Sequence, residues 1–216
     1  MSFKHFFLLI LLMSFFTFPL FSHPHMFIDT EVTVVLEEDT LEGFYIEWTF
    51  DEMFTSSIRM DYDRNRDGSF NERETKAIEN NAFSNLRNYN YFISITSKDE
   101  KYRADTIEDF EAELVEDRLV YRFFVPYKKE ITPEEKELTL IIFDDTFYCD
   151  IAYKSQDPVK IRESEKILAE SRIYENEEKP VDYDPAGGRE RDNSSGREYA
   201  AGTAYPTELQ LTLKKR

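Results

Sequence analysis

The chain has 216 residues, 41% hydrophobic and 15% aromatic, with 19 Phe and 13 Tyr, and a formal net charge of -17. That composition excludes a disordered chain, and so acidic a surface argues against nucleic acid and anionic lipid as partners. A single cysteine, Cys149, excludes an intramolecular disulfide and a cysteine-only metal site.

The first segment, "MSFKHFFLLILLMSFFTFPLFS", has one lysine near its start, an apolar run from Phe6 to Phe18, then Pro19 and the small residue Ser22. The run is shorter than the roughly 20 residues a membrane span needs. Basic, apolar and small-residue parts in that order form a secretory signal peptide over residues 1–22. No cysteine follows the apolar run, so it is not a lipoprotein leader. The expected destination is the periplasm, and the processed chain is not expected to span a membrane.

Cleavage after Ser22 makes His23 the first residue of a chain that begins His-Pro-His, and His23 and His25 are then its only histidines. A terminal His offers its α-amine and Nδ1 as a chelate. A second imidazole two residues on adds a third nitrogen. These donors suit Ni²⁺, Co²⁺, Zn²⁺ or Cu²⁺. Pro24 has no N–H to lose, so the square-planar mode that uses deprotonated amides is blocked. Carboxylates must complete the site, and Asp29 is the nearest in sequence.

Period-two patterning follows. Ile28, Val32, Val34 and Leu36 share one face of a first strand, and Phe44, Ile46, Trp48 and Phe50 one face of a second, joined through "EDT" as a hairpin. A helix–loop–helix insertion is then expected at about 51–89. "DRNRDGSFNERE" matches an EF-hand calcium loop position by position: Asp63, Asn65 and Asp67 at positions 1, 3 and 5, Gly68 at the sharp turn, Ser69 at 7, Asn71 at 9 and Glu74 at 12. All these donors are oxygens, as Ca²⁺ requires. Phe50, Phe54 and Ile58 stripe the entering helix, and Ile78, Ala82 and Leu86 the exiting one. A second loop from Asp182 has Ala186 at position 5 and Asn193 at position 12, so it lacks the bidentate acid. A lone loop in an exported protein reads as a structural staple rather than a sensor.

Beyond the insertion, "YFISITSK", "FEAELVED", "RLVYRFFVPY", "KELTLIIFDDTFYCDIAY" and "TELQLTLKK" read as strands. "PVKIRESEKILAESRIYEN" reads as a short helix, and residues 174–198, rich in Pro, Gly, Ser and charge, as a mobile loop. Cys149 reads as a small buried strand residue, and Asp144 and Asp145 as a solvated turn. The expected architecture is mainly β: an antiparallel β-sandwich-like domain over 23–173 plus 199–216 carrying one EF-hand insertion. Both histidines are read as metal ligands, no carboxylate pair is marked as catalytic and there is no glycine-rich phosphate loop, so no enzyme is expected.

"SHPHMFID", "IEWTFDEMFTSSI", "DRNRDGSFNERE", "YFISI" and "FDDTFYCDI" together resemble an uncharacterised family of small bacterial periplasmic proteins, a domain of unknown function labelled as an ABC-type transport component. Its genes often lie beside nickel/cobalt permeases of the NicO/RcnA type. The resemblance covers roughly residues 20 to 155. It implies a non-enzymatic accessory to transition-metal transport or homeostasis, with His23 and His25 as ligands and an inner-membrane permease as partner. The chain is too short and too β-rich for the two α/β lobes of a solute-binding protein. Two other readings stand beside this one: a calcium-stabilised secreted interaction module with incidental histidines, and a copper redox protein built on a histidine brace.

Overall fold

The computed structural model describes residues 25–98, 100–134, 136–162, 164–183 and 202–216. Strands dominate, in two main sheets rich in antiparallel pairs. One sheet has the order β5-β6-β2-β1-β8, with β9 also paired to β1; the other has the order β10-β13-β7-β3-β4. The ranges are β1 Met26–Glu37, β2 Thr40–Phe50, β3 Ile93–Ser97, β4 Glu100–Arg103, β5 Glu108–Val115, β6 Arg118–Glu130, β7 Lys136–Ile142, β8 Cys149–Tyr153, β9 Val159–Arg162, β10 Ile167–Glu175 and β13 Thr207–Lys215. A small hairpin, β11 Val181–Tyr183 with β12 Gly202–Ala204, stands apart from both.

The alternation in β1 and β2 explains their place. Ile28, Val32, Val34, Phe44, Ile46, Trp48 and Phe50 are all buried, while Phe27, Asp29 and Glu37 are exposed. Their inward side chains join Leu138, Leu140, Leu209, Leu211 and Leu213 from the other sheet in one buried cluster. Gly43 is required where β2 bulges against β6. Its φ is +153°, and a Cβ there would sit 2.3 Å from the Val125 carbonyl oxygen. No other residue fits so close a backbone approach.

The chain leaves the first sheet after β2 through α1, Glu52–Tyr62, and α2, Glu72–Asn81, and reaches the second through a 3-10 segment, Phe83–Phe92. Phe83, buried under this insertion, stacks on Phe110 with ring centroids 4.4 Å apart and lies 4.9 Å from Phe123 and 6.3 Å from Trp48. The helix–loop–helix is therefore anchored in an aromatic layer of the core.

The outer face of the first sheet carries an alternating chain of charges. Arg122 bridges Glu113 and Glu47, at 2.7 Å from Glu47. Lys154 bridges Glu47 and Glu31, and Lys160 meets Glu31 at 2.6 Å. Burial alone would raise the Glu47 carboxyl, but the bonds from Lys154 and Arg122 outweigh it and hold the group below its ordinary value.

Several sequence expectations need correction. β8 and β9 both run parallel to β1, so the first sheet is not purely antiparallel. The expected helix in "PVKIRESEKILAESRIYEN" is instead β9 and β10. Val159 and Ile161 register with Val32 and Val34, and this pairing overrides the helix-forming Lys, Glu and Ala around them. The expected continuous strand "KELTLIIFDDTFYCDIAY" is broken into β7 and β8 by a turn. In that turn Asp144 is buried rather than solvated: it accepts bonds from Thr146 N, Thr146 Oγ1 and Cys149 N at 2.9, 2.7 and 3.0 Å. Of the segment 174–198, residues 174–175 finish β10 and 181–183 form β11; residues 184–198 lie outside the described residues. The signal-peptide segment also lies outside them, and among the described residues no helix is long and apolar enough to cross a membrane.

Candidate metal centres

The loop between α1 and α2 is built from its own twelve residues. Asp51 starts α1: its Oδ1 accepts from Phe54 N at 2.8 Å, and its Oδ2 accepts from Phe27 N at 2.8 Å, which ties the helix to β1. Asn71 starts α2 with a capping box. Its Oδ1 accepts from Arg73 N and Glu74 N, and Glu74 Oε2 accepts from Asn71 N at 3.1 Å.

Between these caps the side-chain oxygens turn inward on the backbone. Asp63 Oδ1 and Oδ2 accept from Asp67 N and Gly68 N, both at 3.1 Å. Glu74 Oε1 reaches back to Arg64 N at 2.8 Å, so the last residue of the loop holds the second. Asn65 Oδ1 accepts from Asp67 N, and Asp67 Oδ1 accepts from Ser69 Oγ and Ser69 N at 2.8 and 2.9 Å. The Ser69 bonds, with one from the Asn65 amide, hold the Asp67 carboxyl below its ordinary value. Gly68 takes φ +80°, the left-handed turn its sequence position called for.

Asp63 and Glu74 are both buried, at 6% and 5% exposure. Burying two carboxylates without a counter-charge is costly. The neighbouring cation is Arg59, whose Nε lies 3.8 Å from Asp63 Oδ2 and whose Nη1 lies 3.8 Å from Asp117 on the β5–β6 turn. The six loop residues nominated by sequence therefore fall in one turn with an all-oxygen donor set, which fits a hard divalent ion. No three His, Cys, Asp or Glu side chains stand together as a finished metal cage among the described residues. The loop acids spend their oxygens on backbone N–H groups.

The second candidate lies at the head of β1. His23 is outside the described residues. The His25 ring meets Tyr148 at a centroid distance of 5.0 Å, and its backbone N donates to the Tyr148 carbonyl at 2.9 Å. Asp29 is exposed four residues along the same strand, opposite Thr49 and Ala152. Four extended residues span about 13 Å, so His25 and Asp29 are not brought together.

Sequence reading passed over Asp150. It registers with Phe27 across the parallel β1–β8 pair, on the outward face shared with His25 and Tyr148. It is half-buried, and burial pushes its carboxyl above the ordinary range, with no opposing cation or donor among the described residues. The signal for it was absent from local sequence, because the register joins residues 123 positions apart. Cys149 beside it turns to the core, with Sγ 3.8 Å from Met26 Sδ. Burial, reinforced by the Asp144 carboxylate, pushes its thiol far up and keeps it protonated.

A family model described as "Protein of unknown function (DUF1007)" matches residues 8–212. The chain belongs to the DUF1007 family. Among relatives of this DUF1007 protein is an uncharacterized 15.5 kDa protein in the trpE 3′ region of Spirochaeta aurantia, 29% identical over 103 residues that cover 48% of this chain and 73% of the relative. An uncharacterized protein of Haemophilus influenzae is 27% identical over 150 residues, covering 69% of this chain and 72% of the relative.

Proposed function

We propose that this DUF1007 protein is an exported, non-enzymatic cation-binding module of the periplasm. Its loop 63–74 takes Ca²⁺, with Asp63, Asn65, Asp67, Asn71 and Glu74 contributing side-chain oxygens and Ser69 its carbonyl. The ion keeps α1 and α2 seated on the aromatic layer. His23 and His25 at the processed amino end take a transition ion, Ni²⁺, Co²⁺, Zn²⁺ or Cu²⁺, as cargo. That cargo serves an inner-membrane nickel/cobalt permease of the NicO/RcnA type.

The observation that carries the calcium half is the burial of Asp63 and Glu74 at the two ends of a closed turn, with only Arg59, among the described residues, in ionic reach of Asp63. A divalent ion there neutralises charge that the fold has already taken out of water. The acidic surface, at a formal -17, raises the local concentration of any cation. Calorimetric titration of the processed protein with Ca²⁺ tests it: the wild type binds one ion with a rise in melting temperature, and Glu74→Gln loses both. Equal Ca²⁺ binding by Glu74→Gln rejects the loop as the site.

A second reading, a calcium-stabilised interaction module, gains support from Phe27, Tyr148 and Met53, which are 53%, 50% and 69% exposed. Under that reading His23→Ala and His25→Ala leave partner capture intact while Glu74→Gln abolishes it. Under the cargo reading the two histidine changes remove transition-metal binding and spare Ca²⁺.

A further inference from the structure

A cavity of about 190 Å³ opens between the end of α2, the 3-10 segment and the connection from β4 to β5. It shares no residue with either candidate metal centre. Phe83, Tyr91 and Ile107 give it an apolar floor, and Glu79, Arg87 and Asp105 a charged rim.

The backbone that builds this floor is strained. Asn90, Tyr91 and Phe92 take φ of +53°, +49° and +59°, three successive left-handed residues with no glycine among them. Bulky side chains enter that region only where their surroundings enforce it, and such strain gathers at binding sites. Here it sets the Tyr91 ring against Phe83 at a centroid distance of 5.4 Å, in the wall of the cavity. Tyr91 is only 5% exposed, yet among the described residues no hydrogen bond reaches its hydroxyl. Buried hydroxyls are seldom left without a partner. Burial pushes this one above its ordinary range. The Arg87 guanidinium opposes that shift, and the Glu79 and Asp105 carboxylates add to it. The phenol is therefore a proton donor at neutral pH, with all three rim charges acting on it.

Other polar groups of the cavity are already committed. Lys76 holds Glu79 at 2.7 Å, and Ser84 Oγ donates to the Asn80 carbonyl at 2.8 Å. Thr106 Oγ1 donates to Asp105 Oδ1 at 3.3 Å, which leaves Asp105 Oδ2 open among the described residues. Arg87 makes no ion pair among them either. The uncommitted set is one guanidinium, one phenol hydroxyl and one carboxylate oxygen around an apolar floor. A simple anion would meet Arg87 and Tyr91 but also two acids. A simple cation would meet Asp105 but also Arg87. A molecule carrying both charges satisfies every group.

We propose that this cavity binds a small zwitterion of the α-amino-acid class, its carboxylate held by Arg87 and the Tyr91 hydroxyl, its ammonium by Asp105, and a compact apolar side chain over Phe83 and Ile107. The volume falls below the roughly 300 Å³ at which sites for larger organic ligands begin, so the side chain must be short. The site goes beyond the cation-binding reading and does not depend on it.

Glycine, L-alanine and L-valine are the probes, with acetate and methylammonium as their separate halves. The processed chain is titrated by calorimetry and by amide NMR. Wild type is expected to bind at least one of the three amino acids, with shifts concentrated at residues 83–91 and 104–107. Acetate and methylammonium should each bind about tenfold more weakly or worse, the usual cost of one charge-assisted hydrogen bond. Arg87→Gln, Asp105→Asn and Tyr91→Phe should each lose about the same factor. Their apo forms should melt near wild type, because Arg87 and Asp105 are exposed and Tyr91→Phe keeps the ring. No binding of any of the three amino acids at millimolar concentration overturns the proposal. Wild-type affinity in both Arg87→Gln and Tyr91→Phe overturns it by placing the ligand elsewhere. Acetate bound as tightly as the best amino acid overturns the zwitterion assignment.

Discussion

The two candidate metal centres differ in residue type, oxygen donors in the loop and imidazole at the strand end, and they are assembled in opposite ways. The loop draws every donor from twelve consecutive residues, and its carboxylates are satisfied in place: Asp63 by Asp67 N and Gly68 N, Glu74 by Arg64 N and Asn71 N. The strand end sets Asp150 across from Phe27, two positions along β1 from His25, through the register of two strands, and burial raises the Asp150 carboxyl. A site whose ligands also cap its helices is part of the fold before any ion arrives.

The sharpest test of that contrast is stability without metal. Glu74→Ala removes the charged acceptor for two backbone donors inside the loop and should cost about 2–3 kcal/mol in chemical denaturation of the apo protein. His25→Ala, at a partly exposed strand start, should stay within about 0.5 kcal/mol. Equal losses from the two would erase the distinction. Gly68→Ala comes next: with φ at +80° a side chain meets left-handed strain of about 1–2 kcal/mol, and Ca²⁺ affinity should fall with it.

A smaller effect is expected at Arg59, which shares Asp63 with any incoming cation. A half-exposed pair of this kind is worth about 0–1 kcal/mol, so Arg59→Gln should tighten Ca²⁺ by up to about fivefold. No change, or weaker binding, would show that Arg59 supports the loop instead of competing with its ion. The smallest expected effect lies outside both sites, in the charge chain across the first sheet. Glu47 is held below its ordinary 4.5 in the folded state, so its contribution is complete above that pH. It disappears as the pH drops below 4.5 through the folded value. Glu47→Gln should flatten that acid limb of the stability curve and leave the Ca²⁺ titration untouched.

This contrast also explains how far the sequence could be read. The β1–β2 hairpin and the presence of two helices after it were legible because each is specified by near neighbours, but Phe50 proved to end β2 and Leu86 to lie in the 3-10 segment beyond α2. β9 and β10 were misread because their Lys, Glu and Ala favour a helix locally, while Val159 and Ile161 answer to Val32 and Val34 on a strand 127 residues earlier. Asp144 was read as a solvated turn although its three donors lie only two to five residues on, a local side-chain turn that the reading passed over. Asp29 was nominated by proximity in sequence. The strand geometry sets Asp29 about 13 Å from His25, a separation that proximity in sequence did not reveal.

Trp48 gives this architecture a built-in reporter. It is the only tryptophan, fully buried, with Phe83 and Phe92 of the segment after α2 against its ring and Phe123 beneath. Its intrinsic emission should be blue-shifted while the helical insertion is docked and should move to the red when that insertion lifts. Under the calcium reading, occupancy of loop 63–74 could thus be followed optically in the unlabelled protein.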